Sequence, residues 1–243
     1  MEFGLLNLLF PFFGAVDHAM ATLLPAWSRL ALWALVGAVV TMFLYRFLSP
    51  QKRIGRAKRE ARAARVALNR YDGDFAGVAP LMRRQFVTAF KHIGLVLPST
   101  LICVLPLLSL LLWLETSYGH TYPPAGQAPE IQVTPAGFQA RWDAPQGQAG
   151  VAEIAVLGEG KVVARVQLPA PVTGVARHQW WNWLAANPAG YLPDDGPIQR
   201  VHIALPSGQY LPWGPDWARS WLMVFIPVMF VVSLSLFRIA KIE

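Results

Sequence analysis

Apolar residues fall into three long blocks along this chain, with a basic stretch after the first and a stretch of alternating apolar and polar residues after the second. The first block, Leu30 to Leu48 (LALWALVGAVVTMFLYRFL), is nineteen residues long with Arg46 as its only charge. The second, Ile93 to Leu114, has twenty-two residues and no charge, and the third, Trp221 to Phe237, has seventeen and is closed by Arg238 and Lys241. A helix of about twenty apolar residues crosses the hydrocarbon of a bilayer, so the blocks predict transmembrane helices over 30–48, 93–114 and 219–238. The shorter run Leu5 to Val16 is interrupted by Pro11 and Gly14. It predicts an interfacial segment within 1–29, read either as an anchor at the outer surface or as the lip of a substrate path.

Between the first two blocks the period changes. Ser49-Pro50 is a helix-start pair, with Pro at the first helical position. Gln51 to Arg70 is rich in strong helix formers, and Ile54, Ala57, Ala61, Ala64 and Leu68 recur at steps of three and four. That narrow stripe suits packing in a coiled-coil-like pair or lying on anionic lipid. Tyr71 to Asp74 reads as a turn. Phe75 to His92 resumes the helical pattern, broken or restarted at Pro80, with Leu81, Phe86, Ala89, Phe90 and Ile93 expected on its buried face. Residues 49–92 therefore predict a helical hairpin whose second arm feeds the second span.

Residues 115–218 alternate at period two in short runs: Glu130 to Val133, Phe138 to Trp142, Ala152 to Leu157, Val162 to Leu168 and Ile198 to Leu205. Gly158-Glu159-Gly160 between two β-branched runs is a hairpin signal. The expectation is a small antiparallel, sandwich-like β domain with a helical insert around 175–186.

Charge gives these elements a direction. Arg46 to Lys91 holds twelve of the twenty-one Lys and Arg residues and three acids, Glu60, Asp72 and Asp74. Basic loops beside spans stay on the cytoplasmic side, so the N-terminus is expected outside and the tail 239–243 inside. Residues 115–218 carry eight acids against five bases, in keeping with an external, periplasmic domain. With 54% hydrophobic and 14% charged residues the chain is an expected integral membrane protein, and its net charge of +7 is accounted for by bilayer orientation and anionic lipid without nucleic acid. The apolar N-terminal run has no basic residue before it, so no cleaved signal peptide is expected. The single cysteine, Cys103, allows no intramolecular disulfide.

Chemistry-bearing patterns are few. No nucleophile elbow, phosphate loop, His-Glu-x-x-His or Cys-x-x-Cys occurs, the five histidines share no ligand-like spacing, and no cofactor or metal is expected. Asp194-Asp195 reads as a polar turn. Trp180, Trp181 and Trp183 crowd within four residues, which leaves membrane or subunit contact, core packing and stacking on a sugar as readings. Trp213 and Trp217, with Trp221, form an expected interfacial belt leading into the third span. In the spans, Thr41, Ser99, Thr100 and Ser109 either pack helices, with some satisfying carbonyls freed by Pro98 and Pro106, or line a partly wet groove with Arg46.

The order of these features carries a resemblance. An N-outside span, a basic hairpin (SPQKRIGRAKREARAARVALNR, then APLMRRQFVTAFKHIGLVLP), a second span, an external segment and a third span ending inside resembles the small three-span branch of the YidC-type membrane protein insertase superfamily. That branch includes archaeal YidC-like proteins and the third subunit of the ER membrane protein complex. The resemblance covers 27–114 and 217–241 and is one of topology and composition. It implies a cytoplasm-facing polar groove and a hairpin that receives an incoming apolar segment, without enzymatic chemistry. On that reading Arg53, Arg56, Arg59, Arg83, Arg84 and Phe86 contact client or lipid, and Arg46, Thr41, Ser99 and Thr100 line the groove. Trp180, Trp181, Trp183, Trp213 and Trp217 contact a partner or interface. The expected partners are membrane lipids, anionic at the cytoplasmic face, and other membrane proteins as clients or permanent subunits, in a bacterial inner membrane. The alternative is a non-catalytic accessory subunit of a larger membrane complex, held by its external β domain.

Overall fold

The computed structural model describes residues 4–145 and 151–240. A 3-10 turn at Leu5–Leu9 leads into helix α1 (Phe10–Ala21), then α2 (Ala26–Leu48), α3 (Gln51–Asn69) and α4 (Phe75–Tyr118). Six strands follow among the described residues: β1 (Ile131–Thr134), β2 (Gln139–Asp143), β3 (Ala152–Gly158), β4 (Lys161–Leu168), β5 (Gly174–Ala176) and β6 (Arg200–Ile203). Helix α5 (Trp221–Ala240) comes last. Three of the helices are long and apolar enough to cross a membrane, over Ala26–Leu48, Gly77–Tyr118 and Trp221–Ile239.

Helix α4 is longer than the pattern suggests. It runs without a break for 44 residues through Pro80, Pro98 and Pro106, so the second hairpin arm and the second span are one helix. Pro80 does not interrupt it because the carbonyl it deprives of a partner, four residues back, lies in the helix's first turn. The hydroxyls around Pro98 and Pro106 do not bond the carbonyls of Gly94 and Ile102 that these prolines free. Ser99 donates to Leu48 O at 3.4 Å, Thr100 to Val96 O at 3.0 Å and Ser109 to Leu6 O at 2.5 Å. Pro50 precedes α3 rather than opening it, and its carbonyl accepts the first amides, from Arg53 and Ile54.

The chain divides into two compact units, one of Met1–Leu32 with Leu108–Ile226, the other of Trp33–Leu107 with Pro227–Glu243. The first contains two three-stranded antiparallel sheets, in the orders β1-β6-β5 and β2-β3-β4. Both sheets contribute to one core, in which Ile154, Val156 and Leu168 meet Val175, Val201 and Ile203. The β3–β4 connection is the expected hairpin: Gly158 pairs with Lys161, and the two residues between, Glu159 and Gly160, have φ of 52° and 77° as a primed turn requires. The helical insert expected around 175–186 is instead strand β5 followed by a single 3-10 turn at Trp180–Trp183, because Gly174–Ala176 pairs with β6.

Candidate functional site

The hairpin begins with α3. Ile54, Ala57 and Ala64 are 2–3% exposed, and Ala61 and Leu68 are half-buried, so the alanine stripe is the inward face. Lys91 Nζ donates to Glu60 Oε2 at 3.0 Å across the two arms, an exposed pair that contributes well under about 1 kcal/mol. An open cavity of ≈ 680 Å³ is lined by Arg62, Arg65, Val66 and Asn69 of α3 and by Gln85 and Ala89 of α4.

The second arm matches the expected face at Leu81 and Ala89 and departs from it at Phe86, Phe90 and Ile93. Leu81, Gln85, Thr88, Ala89 and His92 are its half-buried positions, whereas Phe86, Phe90 and Ile93 are 58%, 68% and 52% exposed. Met82, Phe86, Phe90, Ile93 and Leu97, at steps of three and four, therefore form an exposed apolar stripe running from the hairpin arm into the span. Arg53, Arg56 and Arg59 on α3, and Arg83 and Arg84 on α4, are all exposed, so basic side chains stand on both arms.

The groove candidates do not act alike. Ser99 is buried and bonds the last residue of α2, tying the ends of two helices together. Thr100 is spent within its own helix. Thr41 is half-buried, and Arg46 is exposed in the last turn of α2.

In the β-containing unit all five singled-out tryptophans project outward. Trp180, Trp181 and Trp183 are 83%, 46% and 60% exposed, Trp213 74% and Trp217 69%. Asn182, between them, is buried and accounts for their display. Its side chain and that of Gln179 cap the 3-10 turn reciprocally, with Asn182 Oδ1 accepting the Gln179 amide at 2.6 Å. The turn is also held from the N-terminal segment: Leu6 N donates to Leu184 O, Asn7 Nδ2 to Ala186 O at 3.1 Å, and Ala186 N to Asn7 Oδ1 at 2.7 Å.

One constellation escaped the sequence reading. Asp17 on α1 accepts from Arg29 Nη1 at 2.5 Å through one oxygen and from the Tyr118 hydroxyl at 2.5 Å through the other. Arg29 also lies over the Tyr118 ring, 5.6 Å from its centroid. The Tyr210 ring lies tilted against that of Tyr118, with centroids 5.4 Å apart, and its hydroxyl donates to the Tyr118 carbonyl at 2.9 Å. Burial, with a smaller opposing effect from Arg29, pushes the Tyr210 hydroxyl up to about 12. Gly208 is required here, since a Cβ would fall 2.4 Å from Tyr118 O. Nearby, Trp221 Nε1 donates to Glu115 Oε2 at 3.0 Å. Residues from α1, α2, α4 and the loop before α5 are thus joined by polar bonds that no motif announces. Signals existed only in retrospect: Asp17 and Arg29 are the nearest opposite charges in an otherwise apolar N-terminal stretch.

The arrangement defines a helical chain with three membrane-length helices, a basic hairpin and a β-containing unit. No protein-family model, curated protein or solved structure matches it.

Proposed function

We propose that this chain is an insertase-like protein of a bacterial inner membrane, and that its hairpin lies in the cytoplasm and receives an apolar segment of another membrane protein. One observation carries this reading: the exposed stripe Met82, Phe86, Phe90 and Ile93 begins on a basic arm and continues along the same helix into a span-length apolar stretch. Such a stripe offers a continuous apolar track from the aqueous side toward lipid. Fully covering one of these side chains contributes about 1.5–3 kcal/mol. Set against an association cost of roughly 4–15 kcal/mol, four of them support transient capture. Arg53, Arg56, Arg59, Arg83 and Arg84 would hold anionic headgroups or acidic flanks of the client. Arg46, Thr41, Ser99 and Thr100 stand in the same unit as candidates for a groove wall.

A second reading, a permanent accessory subunit, is favoured by the third span, only 11% of which is buried within the chain, and by the outward tryptophans. Replacing Phe86 and Phe90 together by Ser and measuring insertion of a membrane protein with a short external tail separates the two. The insertase reading expects at least a fivefold loss of insertion at unchanged abundance. Unchanged insertion contradicts it.

A further inference from the structure

The outward face of the β1-β6-β5 sheet carries the second feature of interest. On β6, Arg200 and His202 point away from the core, and their partners on the edge strand β5 are Ala176 and Gly174. Large basic side chains beside residues with almost no side chain leave a hollow. It is roofed by the segment from Gln179 to Pro188, and the resulting open cavity measures ≈ 440 Å³. Its lining includes Arg177, Arg200, His202, Trp181 and, from helix α4, Leu112.

The charge of this hollow is unusual for its surroundings. Residues 115–218 are acidic overall, and their five bases are Arg141, Lys161, Arg165, Arg177 and Arg200. Arg141 pairs with Asp143 and Arg165 with Glu153 on the other sheet, while Lys161 stands beside the β3–β4 turn. The remaining two share the hollow. Arg177 is aimed by backbone carbonyls, with Nε donating to Ile198 O at 3.1 Å and Nη2 to Gly196 O, so its guanidinium is fixed, and among the described residues it pairs with no carboxylate. Arg200 and His202 have no side-chain partner among the described residues. On the neighbouring strand the row continues with Gln132 and Thr134, which are neutral. The acid just before that strand, Glu130, accepts from the Gln132 side-chain amide at 3.0 Å.

Two fixed or free guanidinium groups with an imidazole suit a phosphate, which accepts several charge-assisted bonds at once. The apolar part of the lining tells which phosphate. Leu112 belongs to a span-length helix and Trp181 to the exposed tryptophan turn, and tryptophans gather at the headgroup level of a bilayer. We infer that this hollow is a binding site for the phosphate headgroup of an anionic phospholipid in the leaflet facing the β-containing unit, with Arg177 and Arg200 on the phosphate and Trp181 and Leu112 along the glycerol and upper acyl chain. This site is independent of what the hairpin does.

Native mass spectrometry of the full chain released from detergent tests it, with phosphatidylglycerol as the probe. The wild type is expected to retain one phosphatidylglycerol at concentrations where phosphatidylcholine is not retained. The double variant Arg200→Gln/His202→Gln is expected to weaken that site at least tenfold, and Ala176→Leu, which fills the floor without touching charge, to weaken it similarly. The triple variant Arg53→Gln/Arg56→Gln/Arg59→Gln on the hairpin is expected to retain it. Both variants in the hollow replace exposed or half-buried side chains, and unchanged thermal unfolding midpoints establish that they fold. Equal retention by wild type and both of these variants overturns the proposal. So does equal binding of phosphatidylcholine, and so does glycerol phosphate competing at the lipid's own concentration, which would indicate a site for a soluble anion.

Discussion

Asp17, Arg29, Tyr118 and Tyr210 decide how the N-terminal segment is held. The Asp17–Arg29 pair is 14% and 16% exposed at its side chains, so removing one partner strands the other in a poorly solvated place. Breaking a fully buried pair costs about 3–5 kcal/mol, and the residual exposure lowers that to about 2–3 kcal/mol for Asp17→Asn. Thermal unfolding followed by tryptophan fluorescence is expected to shift down accordingly, with Arg29→Gln alike and the double variant less than additive. Tyr210 gives a pH signature. Its folded value of about 12 lies above its ordinary value near 10, so the folded chain holds this proton more tightly. That contribution is fully present below pH 10 and lost as pH rises toward 12. Difference absorbance of tyrosinate is expected to show a late-titrating amplitude that falls by one tyrosine in Tyr210→Phe, with a loss there of part of the alkaline fall in stability. None of this cluster was legible beforehand. Its members lie up to 193 positions apart, from 17 to 210, and each is an ordinary residue in its own segment.

Elements were more legible than contacts. The five predicted strand runs each contain or overlap an observed strand, because alternation is enforced by one shared core. Strand β5 escaped since Gly-Val-Ala is too short and too small to show a period; its position comes from pairing with β6. The α3 stripe was read correctly from its alanines. On α4 the reading holds at Leu81 and Ala89, which are half-buried, and fails at Phe86, Phe90 and Ile93, which hydrophobicity marks as inward and which are exposed. The same tension of composition and geometry appears in the β3–β4 turn, where Glu159 sits at φ 52°, a region that costs a non-glycine residue roughly 1 kcal/mol. Glu159→Asn, which supplies the Asn-Gly pair preferred in primed turns, is expected to raise stability by about 0.5–1 kcal/mol in urea unfolding monitored by fluorescence. A loss of stability would mean that Glu159 makes compensating bonds.

Along the sequence of the whole molecule a basic part is followed by a β-containing part, and their opposite charge balance is what gives the chain a proposed orientation. The three blocks that predict spans were legible from length and apolarity alone. What the hairpin does was not, because a stripe that captures clients and a stripe that docks one permanent neighbour have the same composition. Photocrosslinking from position 90 distinguishes them most directly: a photoreactive residue replaces Phe90, and membranes are irradiated during synthesis of varied membrane proteins. The insertase reading expects crosslinks to many nascent chains, strongest while their apolar segments are entering and lost when synthesis is stopped. A single crosslinked partner in fixed ratio, unchanged when synthesis stops, would contradict it.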